Sequence, residues 1–489
     1  MTTAVTMPEV SVRTGKLLIN GKWQEAASGK YFDTLNPATG EVLAQVAEGD
    51  RQDIDLAVRA ARKAFEEGPW PAMSATERGK LLYKLAQLVR EHNEELATLE
   101  TLNSGKPISD ARNIDIPLVA DCFEYYAGWA NKIHGETVPV SGPFFNYTLR
   151  EPIGVIGQIV AWNFPLLLAA WKLAPALATG NTVILKPAEQ TPLTALRLGE
   201  LCLEAGFPPG VVNVVPGFGT AGAALVAHRD VDKIAFTGEY ITGQTIMREA
   251  AGTLKRLSLE LGGKSPNIVF ADADIDAAAA GAMMGIFWNQ GEVCCAGSRL
   301  FVQDSVHDRF MDSLLSKTKN MKVGDPMKAD TQVGALISEE HLQKVMGYVK
   351  AGKEEGAKLR VGGDQPMPRG FFVNPTVFDD VSDNMKIARE EIFGPVLSVI
   401  RFRDIDEVVG RANNTFYGLA AAVWTKDVGK AHALARKLRA GTVWVNTYNM
   451  ISSLSPFGGY KMSGFGRELG VHALELYTQV KSVWVNLAS

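Results

Sequence analysis

Apolar positions recur at helical spacing between residues 51 and 105, where Leu81, Leu82, Leu85, Leu88 and Val89 form one stripe and Asn103-Ser104-Gly105 ends it. That stretch reads as helical scaffold. From about residue 152 the pattern switches to short β-branched runs, VIGQIVAW, NTVILKP, VVNVVPG and KIAF, each followed by Gly or Pro and then a helix-like segment. The alternation predicts a parallel sheet with helices on both faces. A second series follows in PNIVFADADI, the Ala-rich helix Ala277 to Gly285, SRLFVQ and GTVWVN, which predicts a second α/β domain. The segments TVPVSGPFFNYTLREP and YTQVKSVWVNL alternate like strands and are candidates to pair as a small extra sheet.

Composition narrows the class. A chain of 489 residues, 46% hydrophobic and 21% charged, can bury a large core and is too long for one compact unit, so two or three domains are expected. Lys plus Arg total 50 against 54 Asp plus Glu, a net charge of -4 with no long block of one sign, which argues against nucleic acid or an anionic membrane as partner. The best candidate for a membrane span, Pro165 to Gly180, is broken by Lys172 and Pro175, and the first residues lack the charged-then-apolar pattern of a secretory signal. Cys122, Cys202, Cys294 and Cys295 show none of the spacings of a disulfide framework or a metal site. A cytoplasmic location without a structural metal is the expectation.

Several segments carry candidate chemistry. Cys294 lies in NQGEVCCAGS, after a helical run and before a strand, among small residues that leave room for a ligand. A thiolate there would attack a carbonyl; the same segment also reads as a pair of buried, inert cysteines. Glu260 in ELGGKSP follows an apolar strand-like run and meets two glycines, as a general base beside a ligand would, or as a solvated glutamate at a strand end would. Asn163 follows VIGQIVAW and precedes Phe164-Pro165. It reads as a helix N-cap, as an amide donor to an oxyanion, or as both. Two further turns suit a nucleotide. Thr237 to Gln244 opens a helix after KIAF without being GxGxxG, and Lys186-Pro187-Ala188-Glu189 places a cation and a carboxylate at a sheet edge.

Together these segments resemble the aldehyde dehydrogenase superfamily, in its hydrolytic, NAD(P)-dependent branch. The similarity runs from LLINGKW and NPATGE through AWNFPL, LKPAEQTP, FTGE, ELGGKSPNIVF, NQGEVCCAGSR, EEIFGPV and SPFGGYKMSG. It implies Cys294 as nucleophile, Glu260 as general base, Asn163 with the Cys294 backbone N–H as oxyanion hole, and Glu468 as a proton relay. It places Lys186 and Glu189 on the adenosine ribose, Gly238 and Gly243 around the pyrophosphate, Glu391 and Phe393 on the nicotinamide ribose and ring, and Trp162 along the cofactor. The aldehyde tunnel falls to Phe164, Leu168, Trp171, Trp288, Val293, Ile451 and Phe457, all apolar or aromatic, which fits an uncharged aldehyde best.

The resemblance implies an α/β fold: a Rossmann-like NAD-binding domain over 1–126 and 150–261, a catalytic domain over 262–461, and bridging or oligomerisation strands at 127–149 and 473–489. A homodimer or dimer of dimers is expected through the tail. Retention of Glu260 implies water, not coenzyme A, as acyl acceptor. Glu189 would repel a 2′-phosphate, so NAD is expected over NADP. Two positions depart from the common pattern. Glu239 stands where Ser is frequent in the phosphate turn, and is expected to turn outward; Glu292 stands where Gln is common, beside the nucleophile. A dedicated aminoaldehyde or betaine-aldehyde dehydrogenase, held by cation–π contact with Trp171 and Trp288, is the alternative enzyme. A non-enzymatic binding or structural protein keeping the fold is the reading from another class.

Overall fold

Asp50 and Ser74 each close a capping box, with Asp53 and Glu77 returning the bond, and so start the helices Arg51–Glu66 and Ala75–Glu91. A third helix, Asn93–Ser104, stops at Gly105 in a left-handed conformation, where the sequence places its end. The computed structural model describes residues 14–488, so most of the stretch read for a secretory signal lies outside it.

Arg51–Glu66 packs on an eight-stranded sheet, and the other two helices pack on further helices. The five central strands of that sheet are parallel, in the order Arg256–Leu261, Lys233–Gly238, Val155–Ile159, Thr182–Lys186, Val212–Val214. Chain order reverses between Val155–Ile159 and Lys233–Gly238. The loops leaving those two strands carry Asn163 and Glu239, and such a switch point opens a crevice for ligands at the carboxyl ends of the strands. The helix Pro165–Ala178, with Pro165 in its first turn, is buried along its whole length.

A seven-stranded sheet forms the second layer system, with Pro266–Val269 and Arg299–Gln303 at its centre and Val396–Phe402 and Ala420–Trp424 flanking them in parallel. The mixed α/β class with Rossmann-like and second parallel-sheet units is as expected. The tail strand Thr478–Asn486 runs antiparallel to Phe144–Pro152 through nine paired positions, Thr478 opposite Pro152 and Asn486 opposite Phe144. Both strands are largely exposed, and the backbone pairing is what holds them together. Among the described residues no helix is long and apolar enough to cross a membrane.

Candidate active site

The helix Ile275–Phe287 ends before Cys294, and the chain then takes three consecutive left-handed residues, Asn289 (φ 50°), Gln290 (φ 55°) and Gly291 (φ 75°). Such a run is strained, and it turns the backbone sharply enough to bring Cys294 into a cavity of about 1040 Å³. Bonds on both sides hold the turn. The Asn289 amide donates to the carbonyl of Glu292 at 3.1 Å, and the Tyr448 hydroxyl donates to the carbonyl of Cys295 at 2.8 Å. Cys294 is half-buried, while Cys295 is fully buried. A hydrogen bond with Cys295, together with burial, pushes the Cys294 thiol well above its ordinary range.

Glu260 lies on the strand Arg256–Leu261, opposite Thr237 on one side and Gly464 on the other. It is 5% exposed, and both carboxylate oxygens lack a hydrogen-bond partner, so the solvated-glutamate reading falls. Burial, then the neighbouring Glu468 charge, push its carboxyl well above the usual range. Only the ionised carboxylate can take a proton from water, so Glu260 must first release its own proton, and its raised affinity then makes it a stronger base.

Asn163 follows the strand by four residues and is buried. Its side-chain amide donates to the carbonyl of Glu292 at 2.9 Å, which leaves the second N–H for another acceptor. The cap of the following helix is Phe164 and makes no side-chain bond, so the N-cap reading of Asn163 is not realised. Glu292 is itself buried, and burial pushes its carboxyl well up, favouring the neutral acid beside the nucleophile.

Cys294, Glu260 and Asn163 line one cavity with Trp162, Gly238, Glu391 and Phe393, and all seven tunnel candidates line it too. Phe164 packs on Trp288 with centroids 5.2 Å apart, and Trp171 on Phe457 at 5.5 Å. Glu391 accepts from the backbone N–H of Gly263 at 2.9 Å, and a methyl group on Gly262 would overlap its carboxylate. Gly262 is glycine because that carboxylate passes directly over its backbone. Glu239 is exposed at the N-terminus of the helix Tyr240–Ala250 and lines the same cavity. Lys186 is buried, donating to the carbonyl of Pro187 at 3.0 Å and to Glu189 at 3.4 Å. Lys186, Glu189, Gly243 and Glu468 stand outside the cavity wall. Gly243 packs on Leu261.

Sequence reasoning missed Lys172. Its ammonium is fully buried and donates to Glu468 at 2.6 Å and to the Thr237 hydroxyl at 2.7 Å. A lone cation inside the apolar helix PLLLAAWKLAPALA was the available signal, and it had been weighed only as an interruption of hydrophobicity. Lys172→Met is expected to lower stability by about 3–5 kcal/mol, because Glu468 stays buried without its cation. Urea unfolding measures this, and a loss within the range of about 0–1 kcal/mol found for exposed pairs would contradict it.

The chain matches the aldehyde dehydrogenase family over residues 23–483. It is 55% identical over 491 residues to the mitochondrial aldehyde dehydrogenase of Rattus norvegicus, covering 99% of this chain and 95% of that protein. Its fold superposes with a TM-score of 0.96 on an NAD+ complex of aldehyde dehydrogenase from Bacillus cereus, at 53% identity and 97% coverage of both chains. The aldehyde dehydrogenase KauB from Pseudomonas aeruginosa gives a TM-score of 0.95 at 49% identity, covering 97% of both chains. With a buried carboxylate, a half-buried cysteine and an amide donor gathered at one sheet switch point, and with similarity at this level along the whole chain, the protein belongs to the aldehyde dehydrogenase family.

Proposed function

We propose that the protein oxidises uncharged aliphatic or aromatic aldehydes to carboxylic acids with NAD, through a covalent adduct on Cys294 and with water as acyl acceptor. The observation that carries this reading is the single cavity lined by Cys294, Glu260 and Asn163 together with Trp162, Glu391 and Phe393. Similarity to a chain solved with NAD+ supports the cofactor.

The residues present fit a dinucleotide: Lys186 and Glu189 would meet the adenosine ribose, Gly238 and Gly243 the pyrophosphate turn, and Glu391 and Phe393 the nicotinamide end. When bound, NAD supplies the hydride acceptor. Cys294 gives its proton to solvent water and adds as thiolate to the aldehyde carbon, and the free N–H of Asn163 with the Cys294 backbone N–H meets the developing oxyanion. Loss of hydride leaves a thioester on Cys294. Glu260 then takes a proton from water, which attacks that thioester and releases the acid. Glu468, tied to Lys172 behind Glu260, is the next proton acceptor.

No Asp, Glu or Arg stands among the seven tunnel positions, which supports an uncharged substrate over a cationic or acidic one. Glu189, 3.4 Å from Lys186, offers a carboxylate that would repel a 2′-phosphate at the adenosine ribose, which supports NAD over NADP. The tail sheet carries exposed Phe144, Phe145, Val480, Trp484 and Leu487, and it supports a homodimer or dimer of dimers. Four free cysteines support a reducing, cytoplasmic setting. NADH absorbance across aliphatic, aromatic, cationic and acidic aldehydes, with NAD or NADP and with or without coenzyme A, tests the reading. NADH from uncharged aldehydes without coenzyme A is expected; no NADH from any aldehyde would sink it.

Burial pushes Glu391 up to about 7. The ionised form is the one that accepts two ribose hydroxyls, so NAD affinity is expected to fall as pH drops through about 7, where the carboxyl takes up its proton. Fluorescence titration of NADH from pH 6 to 9 measures it, and Glu391→Gln is expected to bind weakly with no such slope. A slope retained in that variant would remove Glu391 from the explanation.

A further inference from the structure

Phe393 holds its backbone in the left-handed region, at φ 62°, a costly conformation for a bulky side chain. Something must fix it there. His341 lies in the first turn of the helix Glu339–Glu354, where its backbone N–H donates to the cap Ser338 at 3.1 Å. Its Nε2 reaches the carbonyl of Phe393 at 2.6 Å. A carbonyl only accepts, so the contact requires the Nε2–H form of the ring. Burial holds His341 down to about 4, which keeps it a neutral N–H donor at physiological pH.

Three rings complete the arrangement. His341 meets Trp162 at 5.3 Å, Phe393 meets Trp162 at 5.2 Å nearly edge-on, and His341 meets Phe393 at 6.1 Å. Behind His341 lies Glu292, whose Oε1 is 3.7 Å from the same Nε2 and accepts from the backbone N–H of Ile337 at 2.9 Å. The carbonyl of Glu292 is the acceptor that holds Asn163. One contiguous set of contacts thus joins the ring at the nicotinamide end to the oxyanion donor at the nucleophile.

We propose that His341 is a positioning residue for hydride transfer: its Nε2–H clamps the Phe393 carbonyl and so fixes the Phe393–Trp162 platform, with Glu292 bracing the clamp against the nucleophile loop. This rests on the proposed placement of Phe393 at the nicotinamide. Without the clamp Phe393 relaxes out of the left-handed region, and the platform on which the hydride acceptor is aligned moves.

Single-turnover NADH formation and the primary deuterium isotope effect on kcat, using an aldehyde deuterated at the carbonyl carbon, test the proposal. His341→Ala is expected to slow hydride transfer by about 10- to 100-fold and to raise the isotope effect on kcat, because C–H cleavage becomes rate-limiting. His341→Gln keeps an N–H donor and is expected to restore most of the rate. Should His341→Ala fail to fold, His341→Leu fills the volume without a donor and takes its place. Unchanged hydride transfer and isotope effect in the donor-less variant overturn the proposal, even where thermal stability falls, and so does a His341→Gln protein as slow as the donor-less one. Phe393→Ala separates the two claims. Slow Phe393→Ala beside a normal His341→Ala overturns the clamp alone, whereas normal rates in both overturn the placement of Phe393 and the clamp with it.

Discussion

Cys294→Ala is expected to lower steady-state aldehyde oxidation by roughly 10⁴- to 10⁶-fold, the scale on which loss of a covalent nucleophile is felt. In the proposed mechanism the covalent adduct divides oxidation and hydrolysis into two steps, and the other cysteine lining the cavity is poorly placed to replace Cys294. Cys295 lines the same cavity but is 1% exposed, and its sulfur sits 3.5 Å from the Asn449 side-chain oxygen. Cys295→Ala is expected to keep the wild-type rate within a few-fold. NADH absorbance decides between them, and normal turnover by Cys294→Ala would remove the nucleophile from the account. Because the Cys295 contact and burial push the Cys294 thiol up, kcat/KM is also expected to rise with pH above neutrality.

Glu260→Gln is expected to leave a rapid burst of NADH, close to one per active site, followed by a steady state slower by roughly 10²- to 10⁴-fold, the usual contribution of a general base. The separation follows from the step in which each group acts in the proposed mechanism: Cys294 and Asn163 would complete the thioester, and Glu260 would act on the water that removes it. Glutamine keeps the volume of a side chain whose oxygens make no hydrogen bonds, so the fold has little to lose. The same substitution removes the buried acid whose carboxyl is pushed up beside Glu468. Stopped-flow NADH formation measures both phases. A steady state equal to wild type would take Glu260 out of the mechanism, and loss of the burst itself would move it to an earlier step.

The alternation of β-branched runs with helix-like segments is enough to predict two parallel sheets, since a parallel strand buried on both faces is largely apolar, as Val183, Ile184 and Leu185 are within the fully buried Thr182–Lys186. Period-two alternation likewise disclosed the tail strand and its partner. The site was less legible. Cys294 and Glu260 lie 34 positions apart in the chain, and Asn163 and Glu468 further still, so their convergence is a property of strand order and not of any local motif. Glu260 reads alone as a solvated strand-end residue; its sheet partners Thr237 and Gly464, and Gly458 close to its carboxylate, all come from other segments. Lys172 was hidden for a related reason. A single cation in an apolar helix has no partner in its own segment, and Glu468 arrives from 296 residues away. The clamp by His341 was invisible because it acts on a backbone carbonyl, which leaves no trace in side-chain pattern. Glu292 was visible as a departure, but its use was not.

The central claim is that oxidation passes through an acyl group on Cys294. Peptide mass spectrometry of Glu260→Gln, quenched after one turnover with NAD and an uncharged aldehyde, tests it most directly. The account predicts a mass gain equal to the acyl group, with fragment ions placing it on Cys294, retained in Cys295→Ala and absent in Cys294→Ala. NADH formed at one equivalent with no adduct on the protein, or with the adduct on Cys295, would contradict it.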